Sequence, residues 1–247
     1  MQIGEQIILI TGGSGEIGRH LAETYSQVCK KIIVLDINDE KFPALQEKGI
    51  ECYKCDVTDY LQTVSVTDEV FASYPEIGIV INCAGSIFSA PLINLLTKED
   101  KKHKAEDWDR VIKINLSSVF YVTSCSVEKM IAKRTKGLII NVSSVSSHGN
   151  AGQSAYSAAK AGVNALTVTW SKELSALGIR TACISPGFID TESTSKALSE
   201  AIITRIKNNI PLKRLGTLSE ISDAVKFIIE NDYFNGKVLE LDGGLVI

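Results

Sequence analysis

Several kinds of residue are scarce in this chain, and each scarcity excludes something. Histidine occurs three times in 247 residues, at His20, His103 and His148. None of them sits in a nucleophile-elbow context, which argues against a histidine-dependent serine hydrolase. Dense basic runs are missing: 26 lysines and arginines against 29 acids leave a net charge of −3, so nucleic acid is not an expected partner. No apolar run is long enough to span a bilayer, and the first residues lack the segments of a signal peptide. No membrane partner and a cytoplasmic location are therefore expected. The six cysteines are scattered through apolar segments. Cys52 and Cys55 form a C-x-x-C, but "GIECYKCDV" reads as a strand, on which residues three apart point to opposite faces. With no second pair to complete a zinc site, reduced thiols and no metal are expected.

Apolar residues make up 45% of the chain, enough for a sizeable core. Runs rich in Ile and Val at 6–11, 31–36, 50–55, 77–82, 137–143, 179–185 and 237–242 read as strands covered on both faces. Helical patterns separate them, at about 17–29, 39–48, 59–73, 107–133 and 154–177, with a pair near 193–208 and 218–230. This alternation predicts an α/β fold: a Rossmann-type, doubly wound, parallel seven-stranded sheet in three αβα layers. The whole chain, 1–247, reads as one domain. The most polar stretch, "TKEDKKHKAEDWD" (97–109), reads as a solvated loop entering a helix, or as a rim beside the substrate.

Two constellations carry chemistry. In "LITGGSGEIGRHLAE", Gly12, Gly15 and Gly18 follow a strand and open a helix, where backbone N–H groups and the helix dipole favour a pyrophosphate. Asp36 ends the second strand, eighteen positions after Gly18, where a carboxylate accepts hydrogen bonds from an adenine ribose. Glu16 is an acid where an anion should approach. It fits if only its backbone faces the phosphates and its side chain projects to solvent or the cofactor's rim. In "SAYSAAKAG", Tyr156 and Lys160 are four apart and share a helix face. A neighbouring ammonium and an oxidised nicotinamide would lower the tyrosine pKa, making it a proton donor and acceptor for hydride transfer.

With these motifs the chain resembles the compact, single-domain branch of the short-chain dehydrogenase/reductase family, from about residue 5 to the C-terminus. "TGGSGEIG" is similar to the family's cofactor turn, which implies binding by Gly12, Ser14, Gly15, Glu16, Ile17 and Gly18. "CDVTD" supplies Asp56 and Val57 to the adenine, beside Asp36 and Ile37. "NCAG" resembles the family's N-N-A-G, adding Asn82, Ala84 and Gly85, with Cys83 in place of the second asparagine. "SPGFIDT" implies cofactor contacts from Pro186, Gly187, Ile189 and Thr191, in addition to Tyr156 and Lys160.

The resemblance implies a catalytic set of Asn115, Ser144, Tyr156 and Lys160. Ser144 orients the substrate oxygen and Tyr156 exchanges the proton. Lys160 binds the nicotinamide ribose, and Asn115 holds a water that links Lys160 to solvent. The middle glycine stands at position 15 instead of 16, a spacing more like the larger sugar-nucleotide branch. The loop between Ser144 and Tyr156 is one residue shorter than usual, so Ser143 also competes for the serine role. Ser144, which precedes Val145, is preferred.

The implied activity is interconversion of a ketone and a secondary alcohol, on a 3-oxoacyl or 3-hydroxyacyl substrate as in 3-oxoacyl carrier-protein reductases or 3-hydroxyacyl-CoA dehydrogenases. A sugar, polyol or steroid-like alcohol is the alternative, and a non-catalytic NAD-binding regulator the rival from another class. Ser146, His148 and Gln153 are expected to line the substrate mouth. Asp36, with no basic residue at 15 or 37, predicts NAD(H) over NADP(H). Lys133 and Arg134 read equally as a carrier-protein patch or a solvated helix end. The resemblance further implies a homotetramer paired through the helices near 107–133 and 154–177, and a substrate lid at about 191–209.

Overall fold

The computed structural model describes residues 1–98, 100–197 and 199–245. Seven strands are found where the Ile- and Val-rich runs predict them: β1 Ile7–Thr11, β2 Lys31–Asp36, β3 Glu51–Lys54, β4 Ile77–Asn82, β5 Gly137–Val142, β6 Ile179–Pro186 and β7 Val238–Leu241. They form one sheet in the order β3-β2-β1-β4-β5-β6-β7, and each neighbouring pair is parallel. Every residue of β1, β4 and β5 is buried, as a strand with helices on both faces requires.

The helices are α1 Glu16–Ser26, α2 Phe42–Gln46, α3 Tyr60–Ser73, α4 Ala105–Ile112, α5 Ser118–Ala132, α6 Ser154–Leu174, α7 Glu192–Ala197, α8 Glu200–Asn209 and α9 Leu218–Glu230. Successive strand residues serve opposite layers. Ile79 and Ile81 of β4 join Leu21 and Tyr25 of α1 and Ile221 and Val225 of α9 in one core. Val80, between them, joins Val70 of α3 and Val122 and Met130 of α5 in the other. Cys52 and Cys55 fall in these two opposite layers, and all six cysteines are unpaired.

Two helical expectations are refined. The pattern over 107–133 is not one continuous α-helix: a π turn at Lys113–Ser117 joins α4 to α5. The pattern over 193–208 divides into α7 and α8, because Ser199 is extended (ψ 155°) and starts a new helix. The lid predicted at about 191–209 covers both helices; its Leu198 lies outside the described residues.

The chain reverses its direction of winding between β1 and β4, and the crevice at such a switch point is where this topology binds ligands. The turns after these two strands are locked together. Thr11 Oγ1 accepts the N–H groups of Cys83 and Ala84, both at 3.1 Å. Gly12 has φ +71°, and a Cβ there would lie 2.7 Å from Ala84 Cα, so glycine is required for both conformation and space. Among the described residues no helix is long and apolar enough to cross a membrane.

Candidate active site

The residues singled out in the sequence gather along the carboxyl ends of the strands. After β1, Gly15 is the N-cap of α1 and, having no side chain, makes no cap hydrogen bond of its own. A Cβ on Gly18 would stand 2.3 Å from the Gly12 carbonyl oxygen, so the turn closes tightly beneath the start of α1. That arrangement suits an anion such as a diphosphate. The Glu16 carboxylate turns across the cleft and accepts the backbone N–H of Glu192, the first residue of α7, at 2.6 Å.

Asp36, at the end of β2, receives the N–H of Ser14 at 2.8 Å on one oxygen and that of Asn38 at 2.9 Å on the other. It therefore ties the glycine turn to the second strand. Each oxygen keeps a lone pair for a further donor. Ile37 beside it is exposed. After β3, Asp56 Oδ1 accepts from the N–H and hydroxyl of Thr58, and Val57 is buried.

Asn82 ends β4 with its side chain buried, donating to Thr123 Oγ1 and Asn141 Oδ1, both at 2.9 Å. A Cβ on Gly85 would lie 2.7 Å from Asn115 Oδ1 and 3.6 Å from Lys160 Nζ, which brings these three residues to one point. Asn115 sits in the π turn, fully buried. Its side chain donates to the carbonyls of Ser86 (2.9 Å) and Val111 (3.1 Å) and accepts from Ser86 N–H (3.2 Å). Pro186 closes β6. Gly187 N–H bonds Leu241 O at 2.8 Å, Ile189 pairs with Gly216, and Thr191 Oγ1 accepts the N–H of Thr194 at 3.2 Å.

Ser143 and Ser144 part company at the end of β5. Ser143 is buried and its hydroxyl donates to the Lys160 backbone carbonyl at 3.1 Å. Ser144 is extended, caps a short 3₁₀ turn and accepts the Ser146 N–H on its hydroxyl at 3.2 Å, and that hydroxyl is near enough to Tyr156 to act on its charge. Tyr156 is buried in the first turns of α6 beside Ala155, Val111 and Phe88. Lys160 Nζ lies 5.7 Å from the Tyr156 ring centroid and donates to Val142 O at 2.8 Å.

The electrostatics differ from expectation at the tyrosine. Burial pushes the Tyr156 hydroxyl above the ordinary phenol range, and the Ser144 hydroxyl offsets only part of that rise. The same burial brings the Lys160 amine down to about 8. Removing charge from water dominates at both groups.

Ser146 Oγ donates to Gln153 Oε1 at 2.9 Å and Gln153 Nε2 to Ser89 Oγ at 3.0 Å. His148 is exposed and pairs with Glu240 of β7 at 2.8 Å. Phe88, Ser89 and Glu240 were not legible in the sequence, because each meets its partner through a long-range contact with no motif of its own. Among the described residues, no cluster of His, Cys, Asp and Glu could hold a metal ion.

The chain is similar to known proteins along its whole length. The chain is 37% identical over 256 residues to the 3-oxoacyl-[acyl-carrier-protein] reductase FabG of Thermotoga maritima, with all of both chains covered. It is 33% identical to the protein of that name from Escherichia coli, over 99% of each chain. A crystal structure described as ribose-5-phosphate isomerase from Brucella melitensis 16M superposes with a TM-score of 0.87 at 27% identity, covering 100% of this chain and 94% of that one. One architecture thus carries differently described activities, and fold alone does not choose between them. The family model for short chain dehydrogenase matches residues 6–201, a span holding the glycine turn, Asp36, Asn115, Ser144, Tyr156 and Lys160. The chain belongs to the short-chain dehydrogenase family, oxidoreductases acting on a carbinol or carbonyl carbon.

Proposed function

We propose that the protein is an NAD(H)-dependent oxidoreductase that interconverts a 3-oxoacyl and a 3-hydroxyacyl thioester, with Tyr156 as its acid and base. The observation that carries this reading is the buried Tyr156 ring with the buried Lys160 Nζ 5.7 Å from its centroid, and Ser144 following β5 beside them. Full-length similarity to proteins described as 3-oxoacyl-[acyl-carrier-protein] reductases supports the substrate class. When bound, the nicotinamide cofactor would supply or accept a hydride at the substrate carbon.

The first-turn N–H groups of α1 would hold the diphosphate, and Asp36 the adenine ribose. Asn82 is committed to Thr123 and Asn141 through its side chain, so its share in the cofactor site falls to its backbone. The NAD(H) preference is supported by Asp36, which makes no ion pair among the described residues, and by the apolar Ile37 after it. A 2′-phosphate there would meet a carboxylate without a compensating cation.

Ser144 orients the substrate oxygen. Tyr156, kept protonated at neutral pH by burial, donates its proton to the oxygen as the carbonyl becomes an alcohol, and takes it back in the reverse direction. Lys160 binds the nicotinamide ribose and stabilises the phenolate once the proton has left, at a separation that Val142 O helps to fix. Asn115 positions the route by which Lys160 recovers a proton. Ser146, His148 and Gln153 line the entrance for the acyl part. A homotetramer is supported by apolar side chains that α5 and α6 leave exposed, Phe120, Ile131 and Val168.

The test is turnover of acetoacetyl-CoA and acetoacetyl carrier protein with NADH and NADPH, in the wild type and Tyr156→Phe. Turnover of a thioester with NADH, lost by at least a hundredfold in the variant, is expected. Cofactor binding without turnover of any ketone would instead favour the regulator reading.

A further inference from the structure

We infer that Glu16 is a positioning residue that fastens the start of the 191–209 segment across the cofactor cleft and slows release of the dinucleotide. The inference rests on the proposed binding of a dinucleotide at the glycine turn. Glu16 is the first residue of α1, on the β1 wall of the cleft. Glu192 is the first residue of α7, on the β6 wall. The 2.6 Å bond from Glu192 N–H to Glu16 Oε1 joins these walls across 176 residues of sequence.

The neighbouring groups make this contact specific. The Glu192 side chain is turned to Lys196 at 2.5 Å, and Lys41 is near enough to influence the Glu192 charge. The backbone N–H of Glu192 is what bonds Glu16, while the two carboxylates stay close enough for Glu16 to oppose the Glu192 charge. Thr191 Oγ1 takes the N–H of Thr194, so the segment's first turn is held both from within and from the opposite wall. Farther along, α8 contributes no buried residue, and the segment gains little from packing there. A hydrogen bond to a carboxylate is among the stronger polar contacts available to such a segment.

The carboxylate also places a negative charge beside the turn proposed to hold a diphosphate. Like charges slow the approach of the cofactor, whereas the bridge retards its escape. The two effects separate by substitution. Glu16→Gln keeps an acceptor oxygen and removes the charge; Glu16→Gly removes both.

The experiment follows NADH association and dissociation by stopped-flow fluorescence, and amide exchange at 192–197 by mass spectrometry without cofactor, in the full-length wild type and both variants. Glu16→Gly should raise the dissociation rate about tenfold, as loss of one charge-assisted hydrogen bond implies, and should speed exchange at 192–197. Glu16→Gln should speed association while keeping dissociation within about threefold of wild type. Unchanged exchange at 192–197 in Glu16→Gly, or slower NADH release from it, overturns the fastening role. If the wild type does not bind NADH, the cofactor reading fails, and the exchange comparison still decides whether Glu16 holds the segment.

Discussion

Replacing Lys160 with methionine should make the protein more stable at pH 7, although the proposed chemistry is lost. Lys160 is 5% exposed, and burial lowers its pKa from 10.5 to about 8. That difference corresponds to about 3 kcal/mol. Between pH 8 and 10.5 the unfolded chain holds a proton that the folded chain has released, so this group makes stability rise with pH across that window. Below about pH 8 the folded chain carries the buried ammonium at its full cost. Methionine removes that cost but leaves Val142 O without the donor it now has at 2.8 Å, a loss of about 1 kcal/mol. Lys160→Met should therefore be more stable by about 2 kcal/mol at pH 7, and less stable by about 1 kcal/mol at pH 10.5. Several buried thiols have raised pKa values, Cys55 to about 11 and Cys183 to about 12, which makes stability fall at alkaline pH. Both proteins share that trend, so it cancels in the difference. Urea unfolding of both at matched protomer concentration, from pH 7 to 10.5, measures it. A difference that does not change with pH refutes the reasoning.

Asp36→Ala should narrow the preference for NADH over NADPH, read as the ratio of kcat/KM values; a wild-type enzyme more efficient with NADPH would overturn the assignment of Asp36. The same variant should lose about 1–2 kcal/mol in urea unfolding, because Ser14 and Asn38 lose a charged acceptor. Light scattering at micromolar concentration should give the mass of a tetramer, and a monomer alone would refute pairing through α5 and α6. Amides of the 191–209 segment should exchange more slowly once NADH and substrate are present; equal protection in both states would count against a lid.

Much of the fold was legible because burial on both faces forces a simple composition on the strands. "IGIVIN" and "GLIINVS" are apolar at most positions; the first became β4 residue for residue, and the second became β5 with Ser143 just past its end. The same logic told Cys52 from Cys55. Legibility fell where the outcome depends on partners distant in the chain. The side-chain partner of Glu16 could not be read, because Glu192 has no motif and becomes its neighbour only when β6 is laid beside β5. The choice between Ser143 and Ser144 stayed open in sequence because both end the same strand. Pleating turns the Ser143 hydroxyl back to the Lys160 carbonyl and leaves that of Ser144 on the side of Tyr156. The tyrosine pKa was anticipated from the ammonium and a bound nicotinamide, and the depth of burial that raises it is a property of the packed whole.

The π turn at Lys113–Ser117 works as a phase shift. An α-helix advances about 100° per residue, and a π turn inserts one residue into that count. The stretch before it presents Val111 to Tyr156 and Phe88; the stretch after it presents Val122 and Met130 to the sheet. On a straight helix those two buried faces would be out of step. Deleting one residue from 113–117 would leave a more regular helix and a misaligned protein. Either Val122 and Met130 would swing away from the sheet, or Asn115 would turn from Ser86 and Val111 from the tyrosine. Sequence changes that alter length by one residue should therefore be worse tolerated here than in the exposed loop at 91–98, although nothing chemical is removed.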